Sequence, residues 1–243
     1  MLYLGDCLEQ MDNIADNSVD MVLCDLPYGT TRNKWDSVID LPSLWKQYYR
    51  VCKPNAAIVL FAQTPFDKVL GCSNLGNLRY EWIWEKTTAT GHLNAKKMPM
   101  KAHENILVFY QALPTYNPQK TTGHERKVST AAHKRNCKET TNWGKHGLTT
   151  YDSTERYPRS VIMFPTDKQR VALHPTQKPV DLGRYLIRTY TNAGDTVLDN
   201  AFGSGTFLVS AKLENRKYIG IEKEKEFFDI AKERLRRITT AST

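Results

Sequence analysis

Thr196-Val197-Leu198-Asp199-Asn200-Ala201-Phe202-Gly203-Ser204-Gly205-Thr206 reads as a strand, a glycine turn and the start of a helix. Gly203 and Gly205 let the backbone approach a ligand closely, and the helix beyond them offers free N–H groups. An acidic residue, Asp199, closes the strand where a dinucleotide fingerprint would have its first glycine, and no lysine follows the turn as in a phosphate-binding loop. Glu222, 23 residues after Asp199, ends the next strand and can accept hydrogen bonds from both hydroxyls of a ribose. Taken alone, the glycine turn is equally well a plain tight turn.

Regular alternation surrounds this stretch. Downstream of residue 160 the pattern predicts a helix over Val180–Tyr190, a strand over Asp195–Asp199, and a helix from the glycine turn to Leu213. A strand over Tyr218–Glu222 and a helix over Lys225–Arg237 follow. Upstream, Leu2–Leu4 is a short edge strand, Cys7–Ile14 one or two helical turns, and Val19–Cys24 a buried parallel strand. That strand stops at Asp25-Leu26-Pro27-Tyr28-Gly29, where Pro27 and Gly29 force a loop. A helix over Leu41–Cys52, a strand over Ala56–Ala62 and a helix with Pro65 at its first position come next. Tyr80–Trp84 and Ile106–Tyr110 are strands around a polar, basic stretch from Lys86 to Lys101. The fold class is α/β, a doubly wound Rossmann-like sheet, and ligands of such sheets bind at the carboxyl ends of the strands.

With 243 residues the chain buries a sizeable core without disulfides or metal. Its five cysteines are scattered with no C-x-x-C pair, which argues for reduced thiols, a cytoplasmic location and no metal site. No apolar run is long enough to span a bilayer and the start lacks signal-peptide character, so no membrane role is expected. Net charge is +8, and residues 113–172 carry 11 Lys/Arg against 5 Asp/Glu, interleaved with Tyr116, His124, Trp143, Tyr151 and Tyr157. Charge excess alone is as often a solvated surface. Cations with flat rings suit phosphates and exposed bases, and periodicity fades there, so an inserted nucleic-acid module is expected.

Together these residues resemble the β group of S-adenosylmethionine-dependent DNA amino-methyltransferases, and the resemblance covers most of the chain. Asp25-Leu26-Pro27-Tyr28 is similar to the D-P-P-Y tetrapeptide, with Leu26 for the first proline. The glycine turn is similar to D-P-F-A-G-S-G-T, with Asn200 for the proline and Ala201-Phe202 in place of Phe-Ala. Leu4-Gly5-Asp6, His103-Glu104-Asn105-Ile106-Leu107-Val108-Phe109 and His174-Pro175-Thr176-Gln177-Lys178-Pro179 resemble further signatures, in the group's permuted order. The resemblance implies catalysis by Asp25, Leu26, Pro27 and Tyr28. It implies cofactor binding by Asp6, Thr176, Lys178, Asp199, Ala201, Phe202, Gly203, Ser204, Gly205, Thr206 and Glu222, with Asp6 near the cofactor's adenine and Thr176 and Lys178 at its carboxylate. The catalytic half would span 1–112, a target-recognition insertion 113–172 and the cofactor half 173–243.

The implied reaction is methylation of N6 of an adenine flipped out of double-stranded DNA, in a restriction-modification setting or as a stand-alone enzyme. Asp25 favours adenine because N4-cytosine enzymes of this kind usually carry Ser there. N4-cytosine methylation is the alternative, and a catalytically inactive DNA-binding module the remoter one. C5 methylation is disfavoured, since no Pro-Cys pair occurs. Trp35-Asp36, Trp82 and Trp84 are candidates for a base pocket, though Trp82 and Trp84 read first as core. Members of the group often dimerise, which leaves a homodimer open, with the helix at Leu41–Cys52 as a contributor.

Overall fold

The structure is a computed structural model that describes residues 1–30, 36–130, 139–140, 144–145, 150–166 and 177–238. Two compact units emerge, one from Met1–Asn117 with Ser160–Thr243, the other Pro118–Arg159. The second unit is narrower than the stretch singled out by composition.

The larger unit contains β1 (Leu2–Leu4), α1 (Cys7–Gln10), β2 (Val19–Asp25), α2 (Leu41–Val51), β3 (Cys52–Ala62), α3 (Phe66–Ser73), β4 (Leu78–Thr90) and β5 (Lys101–Phe109). In the smaller unit lie four two-residue strands, β6 (Lys127–Val128), β7 (Glu139–Thr140), β8 (Gly144–Lys145) and β9 (Asp152–Ser153). β10 (Val161–Phe164), α4 (Val180–Tyr190), β11 (Thr196–Asp199), α5 (Thr206–Leu213), β12 (Lys217–Glu222) and α6 (Lys225–Arg237) complete the larger unit. Its eight strands form one sheet in the order β1-β12-β11-β2-β3-β5-β4-β10. All neighbours run parallel except β5, which is antiparallel to both β3 and β4.

Period-two alternation sends successive residues of each central strand to opposite faces, and both are apolar. Val22, Cys24, Ile58 and Leu60 meet Met11 after α1 and Leu44, Tyr48 and Leu70 of α2 and α3. Met21, Leu23, Val59 and Phe61 meet Leu182, Leu186 and Tyr190 of α4 and Phe207 of α5. α2 begins where Asp40 accepts the Ser43 N–H at 3.0 Å. Pro65 is the N-cap of α3 and not its first helical residue. The strands reach further into the polar stretch than the sequence indicates: β4 runs to Thr90 and β5 begins at Lys101, the two pairing again at Thr90 and Lys101 after an irregularity beyond Glu85.

In the smaller unit β6 pairs with β9, β7 with β8, and Arg126 and Lys120 make ion pairs with Asp152 and Glu155. No described helix is long and apolar enough to cross a membrane.

Tyr190 ties α4 to β4: its hydroxyl accepts from Trp82 Nε1 at 2.7 Å and lies 2.9 Å from the Tyr80 hydroxyl. Tyr190→Phe keeps the ring but leaves the buried indole N–H unpartnered. It should cost about 1–3 kcal/mol, read as a lower urea midpoint at unchanged m-value.

Candidate active site

β2 ends on Asp25, and the turn after it is fastened by a single carboxylate. Asp36 accepts the backbone N–H groups of Tyr28, Gly29 and Thr30 at 2.7, 2.9 and 3.0 Å. Gly29 takes a left-handed φ of 67°, which a side chain would oppose. The Tyr28 hydroxyl donates to Asp25 Oδ1 and its ring stacks on Phe66, 5.4 Å between centroids. Leu26, in place of the resembled family's proline, buries its side chain in the apolar layer under α1 and α2.

The second Asp25 oxygen accepts from Lys178 Nζ at 2.6 Å. Lys178 also lies 3.1 Å from Glu104, whose other oxygen pairs with Lys86 at 2.6 Å. Both lysine side chains are only 7% exposed. Burial pushes the Asp25 carboxyl above its usual range, with the negative Glu104 adding to the push and Lys178 opposing it. Burial also disfavours the Glu104 anion, but Lys178 and Lys86 outweigh it and hold that carboxyl at about 2. Burial opposes the Lys178 charge too, and Asp25 and Glu104 overcome that, keeping the ammonium protonated.

On the neighbouring strands β11 and β12 end in Asp199 and Glu222. Asp199 is 1% exposed and accepts the Ala201 N–H at 3.3 Å. Burial, reinforced by the charges of Asp25 and Glu222, raises its carboxyl to about 8. Between these strands the chain turns through Gly203 and Gly205, both at positive φ. A Cβ on Gly205 would stand 2.7 Å from that of Ala231. Glu222 accepts the N–H groups of Gly203 and Glu224 at 2.7 and 2.8 Å. Asn200 is anchored by the Tyr48 hydroxyl at 2.6 Å, and Ser204 by Arg234. Asp6 caps α1 through the Leu8 N–H at 3.0 Å.

One cavity of about 580 Å³ joins both groups. It is lined by Asp6, by Asp25 to Tyr28, by Lys178, and by Asp199 to Ser204 with Thr206 and Glu222. Gly205 is absent from the wall and shapes the turn instead. Thr176, with His174 and Trp35, lies outside the described residues. Lys178 stands beside Asp25 and Glu104 on the wall of the same cavity. Trp84 is both core and cavity wall, whereas Trp82 is core alone. Asp36, a base-pocket candidate from the sequence, lines the cavity, and so do Glu104, Lys86 and Gln177, to which the sequence assigns no role of their own. Glu104 carries a signal as one letter of the run from His103 to Phe109, Gln177 as one letter of the run from His174 to Pro179, and Lys86 carries none.

An open, mostly parallel sheet with a glycine turn and two carboxylates at adjacent strand ends defines a Rossmann-like protein with a nucleoside-type ligand site. More specifically, a family model described as DNA methylase matches residues 19–233, and the chain belongs to this N6/N4 DNA methyltransferase family. It is 29% identical to the type II methyltransferase M.HpaI of Haemophilus parainfluenzae, over 96% of this chain and 73% of the relative. Identity to the DNA adenine methyltransferase YhdJ of Escherichia coli (strain K12) is 28%, over 98% of this chain and 82% of the relative. Among solved structures, M1.HpyAVI in complex with SAM superposes at a TM-score of 0.67, with 24% identity and 97% and 98% of the two chains covered. The cytosine-N4-specific PvuII DNA methyltransferase reaches 0.69, with 16% identity and 98% and 87% covered.

Asp199 yields a pH prediction. Its folded pKa of about 8 exceeds the ordinary 3.8, so the folded state holds a proton that the unfolded state has lost between these values. Stability therefore declines as pH rises from about 4 to about 8. Asp199→Asn should remove part of that decline, stabilising the ligand-free protein by a few kcal/mol at most near pH 8 and hardly at all near pH 4. Urea midpoints across this range test it, and a variant with the parent's pH slope would count against the buried acid.

Proposed function

We propose that this DNA methyltransferase uses S-adenosylmethionine to methylate N6 of an adenine extruded from duplex DNA. The observation that carries the reading is the Asp25 carboxylate, held from both sides by Tyr28 and Lys178 and facing the cavity that Asp199 and Glu222 also line. A carboxylate has about four lone-pair sites, so each Asp25 oxygen retains one after these two bonds. Asp25 can therefore accept an N–H of an exocyclic amine, and the Leu26 carbonyl the other. That draws the nitrogen's lone pair away from conjugation with the ring and fixes its direction. Tyr28 offers a ring on which the extruded base stacks, worth roughly 1–3 kcal/mol. Extrusion is required because the reacting atom is unreachable within the duplex.

The residues fit a cationic nucleoside cofactor. Gln177 presents a buried Oε1 with no donor among the described residues, and Asp199 is a carboxylate starved of positive charge. Glu222 keeps a lone pair on each oxygen for ribose hydroxyls. Asp6, Ala201, Phe202 and the Gly203–Thr206 turn would hold the remainder, with Thr176 carried over from the resemblance alone. When bound, S-adenosylmethionine supplies an electrophilic methyl group on a sulfonium. Lys178 is assigned to orient Asp25, with Glu104 and Lys86 behind it. The basic stretch 113–172, with the compact unit 118–159 at its centre, is assigned to target recognition.

Adenine is supported by Asp25 and by the adenine enzyme YhdJ among the relatives. N4 of cytosine is the second reading, favoured by the cytosine-N4-specific structural neighbour. Mass spectrometry of nucleosides from unmethylated DNA treated with the protein and S-adenosylmethionine decides between them. N6-methyldeoxyadenosine is expected, whereas N4-methyldeoxycytidine would replace the proposed target. Asp25→Ala should slow single-turnover methylation by about 10²–10⁴-fold with cofactor binding retained, as isothermal titration would report. Normal turnover by that variant would sink the mechanism.

A further inference from the structure

The ribbon made by β4 and β5 overhangs the catalytic floor. Register places Trp82 level with Asp25, since Asp25 pairs with Phe61, Phe61 with Ile106 and Ile106 with Trp82. β4 then runs eight residues further to Thr90, roughly 25 Å if extended. Along this overhang Trp84, Lys86, Thr88 and Thr90 all line the cavity. Every second residue thus faces inward, and the ribbon is one wall of the chamber.

Beyond the wall the chemistry changes. Every residue from 91 to 103 is exposed. The segment 86–103 holds four lysines and no acid. Lys86 is committed to Glu104, whereas Lys96, Lys97 and Lys101 pair with no carboxylate among the described residues. Apolar side chains share the tip: Leu93 is 87% exposed and Met98 53%. A merely solvated lysine loop has no use for them. Cations to meet phosphates and a bare apolar side chain to enter a base stack are the combination used by proteins that part base steps.

We propose that this ribbon is a DNA-gripping element distinct from the compact unit 118–159. Lys96, Lys97 and Lys101 neutralise phosphates next to the target nucleotide. Leu93 wedges into the stack as the target base leaves it for the cavity below. The inference rests on the reading that the substrate is duplex DNA, and it assigns the act of extrusion to a named side chain.

All four residues are exposed, so substitution leaves the core intact. With full-length protein and a duplex carrying the methylated site, Lys96→Ala/Lys97→Ala should make the plot of log affinity against log salt shallower by about 1.8, at about 0.9 per phosphate contact. Leu93→Ala should lower the turnover rate about tenfold on a matched duplex and much less on one mismatched at the target base, whose extrusion is already easy. An unchanged salt slope in the double variant would overturn the ribbon's role in DNA binding. Equal losses on matched and mismatched duplexes would overturn the wedge. Should the slope change while no nucleoside is methylated, the ribbon stands and the enzymatic reading falls.

Discussion

A lysine ammonium buried between two carboxylates is the interaction on which the site depends. Asp25 ends β2, Glu104 lies on β5, Lys86 on β4, and Lys178 comes from the segment before α4, 153 residues after Asp25. Four separate pieces of chain must therefore be in place before any of these charges is satisfied. Removing one partner of a buried pair leaves an uncompensated charge, commonly a cost of about 3–5 kcal/mol. The cluster couples the geometry of the Asp25 carboxylate to completion of the fold. It also explains why Asp25 can be desolvated and still held in one orientation.

The same sheet places a second carboxylate group close by. β12, β11 and β2 are consecutive neighbours, so Glu222, Asp199 and Asp25 end adjacent strands, roughly 5 Å apart from one strand to the next. Asp25 has a lysine and Glu222 has two backbone N–H groups, while Asp199 has the Cys24 thiol, one N–H and, among the described residues, no cation. The elevated proton affinity of Asp199 follows from that inequality. Parallel neighbours end on the same side of a sheet, which puts these acidic residues at a common edge, and their repulsion is offset by whatever each can recruit.

Much of this was legible from the order of residues. α4 and α6 begin and end at the residues that apolar spacing and flanking turns indicated, Val180–Tyr190 and Lys225–Arg237. Both are amphipathic elements whose boundaries are set locally. β4 extends past its sequence-predicted end because its outer half carries Lys86, Thr87, Thr88 and Thr90, polar residues that stay extended without a buried face on both sides. The sequence marks Asp36, with Trp35, as a base-pocket candidate but not as the anchor of the turn, because that role arises from the fold of the loop it fastens. Partners of Lys178 were equally hidden. A lysine before a helix looks the same whether it meets a ligand carboxylate or a buried Asp–Glu pair. Only the sheet order, which brings β2 and β5 to either side of β3, decides that.

The unpaired character of Asp199 has a functional side. A site that held its acids in fully satisfied pairs would gain little from a cationic ligand, since binding would first have to break those pairs. Here Asp199 has no cation beside it among the described residues and burial favours its protonated form, so a positively charged ligand would favour its ionised form. Binding of that kind stabilises the folded chain by mass action. The acid one strand away, Asp25, is already paired with Lys178, so a cation would gain more beside Asp199 than beside Asp25. Asp25's remaining lone pairs would then be open to a group that donates N–H hydrogen bonds, and a cation and such a donor would not compete for one carboxylate.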